Sequence, residues 1–223
     1  MNIAGLGFIS SDDLRVSSLK ETRRADDFTK MAVLAANDAF IDSRLNEGLK
    51  RDLGIIVATA LGPHVTTFRF LDDILTYGDK GVSPTIFSHS VHNAAASYIA
   101  TYLGSRGPTL TLTQFRNSFY QALVIAQCWL KDNRCENILI GGVDQLGKEM
   151  EYVLNPKAKE IIPLEGSAFF LVTESESLNK YCSVSINTSV NQTVNIKVNC
   201  IDLAKAILTL KDDKANTNKT IDF

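Results

Sequence analysis

Between Asn117 and Lys131 the chain reads NSFYQALVIAQCWLK, a helical segment with almost no polar face. Phe119, Ala122, Leu123, Val124, Ile125, Ala126, Cys128, Trp129 and Leu130 occupy most of its circumference. A helix apolar nearly all round belongs in the middle of a large core, not on its surface. The rest of the chain, or a partner, must provide that core. Leaving about 400 Å² of such a surface in water forgoes about 10 kcal/mol of burial, comparable to the whole stability of an ordinary domain.

The flanking segments supply strands in a regular order. Asn2–Ile9 is a short apolar strand punctuated by glycine. LGIIVA (Leu53–Ala58), NILIGGV (Asn137–Val143) and GSAFFLVT (Gly166–Thr173) are continuous apolar runs suited to strands covered on both faces. Thr109–Thr113 alternates Thr and Leu after the Gly107-Pro108 turn. Asp26 or Asp27 caps a helix running to about Arg44, with Phe28, Met31, Ala32, Ala35 and Ala39 in one apolar stripe. A helix of mixed polarity spans His64–Tyr77 and stops near Gly78. SPTIFSHSVHN then leads into a short alanine-rich helix closed by Gly104. After Ser175 the composition shifts to Ser, Asn, Thr and Lys. There Ser183–Val190 and Thr193–Val198 read as strands and Ile201–Leu210 as a last helix before a polar tail. No repeat and no linker interrupts the chain, so residues 1–223 read as a single α/β domain with a covered sheet.

Composition excludes several function classes. The net charge of −2 and the pI near 5.9 argue against a non-specific hold on nucleic acid or anionic membrane. Phe119–Leu130 is the longest nearly apolar run and falls well short of the roughly 20 residues a bilayer demands. MNIAGLGFISSDDL lacks the basic start of a signal peptide, so a cytoplasmic location is expected, without membrane insertion. Cys128, Cys135, Cys182 and Cys200 form no CxxC pair and are expected to stay reduced. GLGFIS (Gly5–Ser10) breaks the dinucleotide fingerprint at Ser10, and Gly141 and Gly142 punctuate a strand end, so no cofactor is expected.

Four segments carry a resemblance: DDFTKMAVLAANDAF (Asp26–Phe40), RGPTLTLTQFRNSFYQAL (Arg106–Leu123), ILIGGVDQL (Ile138–Leu146) and LEGSAFFLVTES (Leu164–Ser175). In that order they resemble the N-terminal half of the β-ketoacyl synthases, which have the thiolase fold. They look like its first long helix, its nucleophile strand and elbow, its next central strand with a Gly-Gly turn, and its Gly-Glu-Gly strand with Leu164 at the first glycine. The likeness spans residues 1–175 and implies a reduced thiolase-like fold, with a mixed central sheet and a buried central helix. Residues 176–223 then stand as short C-terminal strands and a helix in place of the second half. SPTIFSHSVHNAAASY (Ser83–Tyr98) and Ser118-Phe119 resemble the short chain length factor type, found with aryl polyene and other type II polyketide or fatty-acyl systems.

Two departures from an active synthase bear on function. Counting from Gly107-Pro108, the cysteine position of the family falls on Arg116, and a slip of one residue offers only Phe115 or Asn117. Arginine forms no acyl thioester, and a fixed cation at a helix N-terminus has the wrong sign for the dipole. The three histidines, His64, His89 and His92, all precede that elbow, whereas the family's two catalytic histidines belong to its C-terminal half. The resemblance therefore implies a non-catalytic subunit that pairs with an active β-ketoacyl synthase and meets acyl carrier protein through that complex. Thr109, Leu110, Thr111, Leu112 and Thr113 are expected at the dimer face. Phe87, His89, Val91, His92 and Phe115 are expected to close the partner's acyl tunnel, where their bulk limits chain growth.

Plainer readings stand beside these. His89 and His92 suit a metal only with a third ligand, and none lies nearby in sequence. Cys128, in the middle of an apolar helix, reads as an inert filler, and Ser118 lacks the glycines of a nucleophile elbow. A stand-alone acyl-thioester enzyme with a relocated nucleophile would need one of those two. A structural stabiliser of the synthase would leave product length alone. Arg116 is either a plug in the former acyl-cysteine pocket, paired with Asp144 or a partner's acid, or a solvated loop residue.

Overall fold

The computed structural model describes residues 1–15, 22–148, 150, 165–178, 180–186, 199–212 and 220–222. The first five segments read as strands all become strands: β1 (Asn2–Ile9), β2 (Gly54–Thr59), β3 (Thr109–Thr113), β4 (Asn137–Asp144) and β5 (Gly166–Thr173). Two short strands follow, β6 (Ser183–Ser185) and β7 (Thr220–Asp222). They form one mixed sheet in the order β3-β2-β4-β5-β1-β6-β7. β2 runs parallel to both β3 and β4, whereas β5 is antiparallel to β4 and β1.

Side chains alternate across this sheet and split the core in two. On one face Ile55, Val57, Leu139, Phe169 and Leu171 meet helices α1 (Asp27–Ser43) and α4 (Ala94–Leu103). On the other face Ile56, Ala58, Ile138, Ile140, Phe170 and Val172 meet α5 (Ser118–Lys131) and α6 (Cys200–Asp212). The result is the layered α/β architecture expected, with the sheet buried between helices.

The α1 layer is the tighter of the two. Asp26 caps α1 by accepting from the Thr29 N–H at 2.9 Å, and its other oxygen accepts from the Thr66 hydroxyl at 2.6 Å. Methyl groups on Gly5 or Gly7 of β1 would overlap the backbone of Ala39 and Ala35, so bare glycine lets helix and strand touch. At the far end the Asp42 carboxylate gathers the Leu6 N–H, the Tyr181 hydroxyl at 2.6 Å and the Lys180 ammonium. Burial pulls this carboxyl up, but those three partners together bring it below its ordinary value.

Two expectations are corrected here. α5 is not enclosed: Phe119, Ala122, Leu123, Ala126, Trp129 and Leu130 are buried, Tyr120, Val124 and Ile125 are half-buried, and Cys128 is exposed. Among the described residues α5 has the sheet on one side only, and its outer surface stays partly exposed. The segment taken as a lead-in is itself a helix, α3 (Pro84–His89), capped by Ser83 with proline in its first turn. It packs beside α2 (His64–Tyr77).

The remaining elements sit close to their expected bounds. α6 extends one residue earlier than read, to Cys200, and buries Ile201, Leu203, Ala204 and Ile207 against the α5 side of the sheet. The strand read over 183–190 is described only as Ser183–Ser185, and 193–198 lies outside the described residues. Thr220–Asp222, taken as polar tail, pairs with β6, a three-residue strand too short to leave a periodic signal. All four cysteines are unbridged. Among the described residues no helix is long and apolar enough to cross a membrane.

Candidate functional site

The carboxyl ends of the three parallel strands lie together: Thr59 of β2 is level with Thr113 of β3, and Ala58 with Gly142 of β4. In open α/β sheets this edge is where ligand sites form, because loops of both neighbours frame it. Here the frame consists of residues 60–63 after β2, residues 114–117 after β3 and residues 145–148 after β4.

Asp144, the last residue of β4, organises the first of these loops. Its carboxylate accepts from the Thr59 hydroxyl at 2.8 Å, from the Ala60 N–H at 2.9 Å and from the Leu61 N–H at 2.9 Å. The residue is half-buried, but the carboxylate itself is withdrawn from solvent. Burial pushes its pKa up to about 6 despite the three donors, which act to lower it. Thr59 passes the link on, since its hydroxyl oxygen accepts from the Gly62 N–H at 2.8 Å. His64, at the start of α2, adds a second clamp: its Nε2 accepts from the Gly147 N–H at 3.1 Å. Beneath this edge lies Cys200, whose thiol is held up at about 12 by burial and by the Asp144 charge.

Arg116 stands in the turn between β3 and α5, exposed to solvent. Asn117 then adopts the left-handed conformation (φ 63°) as N-cap of α5, and no side chain caps that terminus. The salt bridge considered between Arg116 and Asp144 is not formed, because Asp144 is committed to the loop after β2. Arg116 makes no ion pair among the described residues.

The expected tunnel residues divide into two kinds. Phe87, Val91 and Phe115 are exposed apolar side chains, with the Phe87 ring tilted against Phe70 of α2 at a centroid distance of 5.3 Å. His92 is also exposed, and its ring rests on Gly62. His89 differs: it is buried, its Nδ1 pairs with the Thr85 carbonyl at 2.7 Å and its Nε2 with the Tyr98 hydroxyl at 2.6 Å. Both ring nitrogens are thus engaged, Nδ1 within α3 and Nε2 across to α4, so His89 is not free to pair with His92 as a ligand.

Among the described residues β3 ends the sheet, with β2 on one side and an open edge on the other. The Ile55 N–H donates to the Pro108 carbonyl and the Gln114 N–H to the Thr59 carbonyl. In a parallel ladder alternate residues turn both backbone groups to the same neighbour. Leu110 and Leu112 therefore face β2, and Thr109, Thr111 and Thr113 present N–H and C=O to the open edge. Of the two relocated-nucleophile candidates, Ser118 opens α5 and makes no side-chain hydrogen bond among the described residues. Cys128 lies near the far end of α5, on its exposed side.

The role of Asp144 in the loop was hidden by its sequence context, a lone carboxylate after an apolar strand. Thr59 and Gly62 gave no signal at all, because their importance rests on contacts across about 30 and 85 positions of chain.

Known proteins match the chain in the same terms. Residues 15–163, two thirds of the chain, match the family model described as "Beta-ketoacyl synthase, N-terminal domain". A 3-oxoacyl-(acyl-carrier-protein) synthase 2 from Staphylococcus aureus is 30% identical over 91 residues, covering 40% of this chain and 23% of the relative. The chain therefore spans about a quarter of that curated relative. Among solved structures, the ishigamide ketosynthase/chain length factor aligns with TM-score 0.64 at 18% identity, covering 81% of this chain and 63% of that one. The ketosynthase ApeO in complex with its chain length factor ApeC, from Xenorhabdus doucetiae, aligns with TM-score 0.60 at 14% identity. That match covers 78% of this chain and 79% of the other, so the two chains are of similar length.

Proposed function

The chain belongs to the β-ketoacyl synthase family through its N-terminal domain, and from that premise we propose that it is a chain length factor: a non-catalytic subunit that pairs with an active synthase and sets the depth of its acyl tunnel. The observation that carries this reading is Arg116 in the turn from β3 into α5, where the family's resemblance places the acyl-accepting cysteine. A guanidinium cannot attack a thioester, and its charge opposes the partial positive charge at a helix N-terminus. The likeness in fold to a chain of a ketosynthase–chain length factor complex supports the same reading.

The open edge of β3 suits the pairing. Thr109, Thr111 and Thr113 offer a row of unpaired backbone groups, which a strand of the partner can satisfy by extending the sheet. α2, α3 and the junction after α3 present Phe68, Leu71, Leu75, Phe87 and Val91 to the outside, side chains whose bulk can border a tunnel for apolar acyl chains. Growing chains would arrive on acyl carrier protein, and the partner's cysteine would do the chemistry.

The test is the product mixture of an active synthase assayed with and without this chain. A complex of one chain to one synthase, with product length altered by its presence, is the expected result. A complex that leaves product length unchanged points to a mere stabiliser. Activity of this chain alone that is lost on replacing Cys128 and Ser118 points to a relocated nucleophile.

A further inference from the structure

The groups below the candidate tunnel residues form one continuous chain of contacts. It starts at the Asp144 carboxylate on β4, passes through the Thr59 hydroxyl and the Ala60 and Leu61 amides, and reaches the Gly62 N–H. Gly62 adopts a left-handed conformation (φ 62°), and a methyl group there would lie 2.7 Å from Nε2 of His92. The loop thus fits against the imidazole with no room to spare. The adjoining segment is tied a second time: the Thr67 hydroxyl, one turn into α2, bridges the Pro63 carbonyl at 3.0 Å and the Ser90 carbonyl at 2.9 Å. The junction of α3 and α4, which carries Val91 and His92, is therefore held to the end of β4 through the loop after β2.

We infer that Asp144, Thr59 and Gly62 are positioning residues for His92, and that they set product length by fixing where its ring stands. The inference rests on the chain length factor reading and adds residues outside the tunnel to it. His92 is exposed and makes no side-chain hydrogen bond among the described residues; what locates it is the surface of the Gly62 loop. His89, three residues earlier, is held instead by Thr85 and Tyr98. It serves as an internal control, because a disturbance of the Asp144 loop reaches His92 and leaves His89 in place.

Thr59→Val and Thr59→Ser separate positioning from simple loss of folding. The valine keeps the shape but loses the donor to Asp144 and the acceptor for Gly62, whereas the serine retains both. The first readout is the ring resonances of the three histidines in the full-length chain, followed by NMR. Thr59→Val and Asp144→Asn are expected to shift the His92 signals while those of His89 stay put, and Thr59→Ser to match the parent. The second readout is the acyl chain length made by the complex with an active synthase. His92→Ala should shift the mixture to longer products, and Thr59→Val should broaden it. In the double variant Thr59→Val should add nothing to His92→Ala. His92 signals that ignore both substitutions overturn the inference. So does a Thr59→Val effect on product length that persists in full without His92. A synthase whose products are the same with and without the parent chain overturns the chain length factor reading, and the inference falls with it.

Discussion

α1 and α5 lie on opposite faces of the same sheet and have met different fates. α1 is read from sequence as a helix with one apolar stripe, yet ten of its residues are buried, including Val33, Leu34 and Ala36 off that stripe. α5 is read as the enclosed central helix, yet only six of its residues are buried. The α1 layer is completed by this chain: sheet below, α4 alongside, the Asp42 cluster at its end. Among the described residues the α5 layer is completed only toward the sheet, and Tyr120, Val124 and Ile125 remain half-buried on its outer side. Apolar residues beyond what a chain can bury itself are the mark of a surface meant for something else.

The comparison breaks most easily at α1. Phe28→Ala empties a site with no solvent exposure and should cost about 3–5 kcal/mol, read as a lowered denaturant midpoint. Gly7→Ala forces a methyl into the Ala35 carbonyl and should cost about 1–3 kcal/mol or more by the same measure. If either substitution is neutral, α1 is not the tight layer described here.

The two halves of the α5 layer give smaller effects. Asp144 holds its proton more tightly folded, at about 6, than unfolded, at 3.8. Its contribution to stability is therefore complete below pH 4 and is lost as the pH rises through about 6. Asp144→Asn should flatten the stability profile across that window by at most about 3 kcal/mol, measured as urea midpoints at a series of pH values. An unchanged slope would remove Asp144 as the titrating group. Thr111→Pro is sharper in kind but small in energy. The Thr111 N–H points to the open edge, so proline there spares the β2 ladder and should shift the midpoint of the isolated chain by about 1 kcal/mol or less. The same substitution should abolish pairing with a synthase. Smallest of all, Ile125→Ala should change the stability of the isolated chain by well under the about 2–5 kcal/mol typical of a fully buried isoleucine.

The sheet was legible because fully buried strands write unbroken apolar runs, as Gly54–Thr59 and Gly166–Thr173 do. The helix ends followed from local chemistry: Asp26 as a cap, Gly78 and Gly104 as stops. What sequence could not convey was which helix each face would cover, since periodicity reports how much of a helix is apolar and not what lies against it. α3 was missed because six residues hold too few turns to show a stripe. At the site, Arg116 was legible from its distance to Gly107-Pro108, whereas the loop from Thr59 to Gly62 depends on a carboxylate far along the chain and on the His92 ring.

The central claim is that this chain works through a synthase and not alone. Light scattering coupled to size-exclusion chromatography, on the chain by itself and then co-expressed with an active β-ketoacyl synthase of its own system, tests that most directly. The account predicts poor behaviour or self-association alone and a one-to-one complex with the synthase. A stable monomer that elutes apart from the synthase would contradict it.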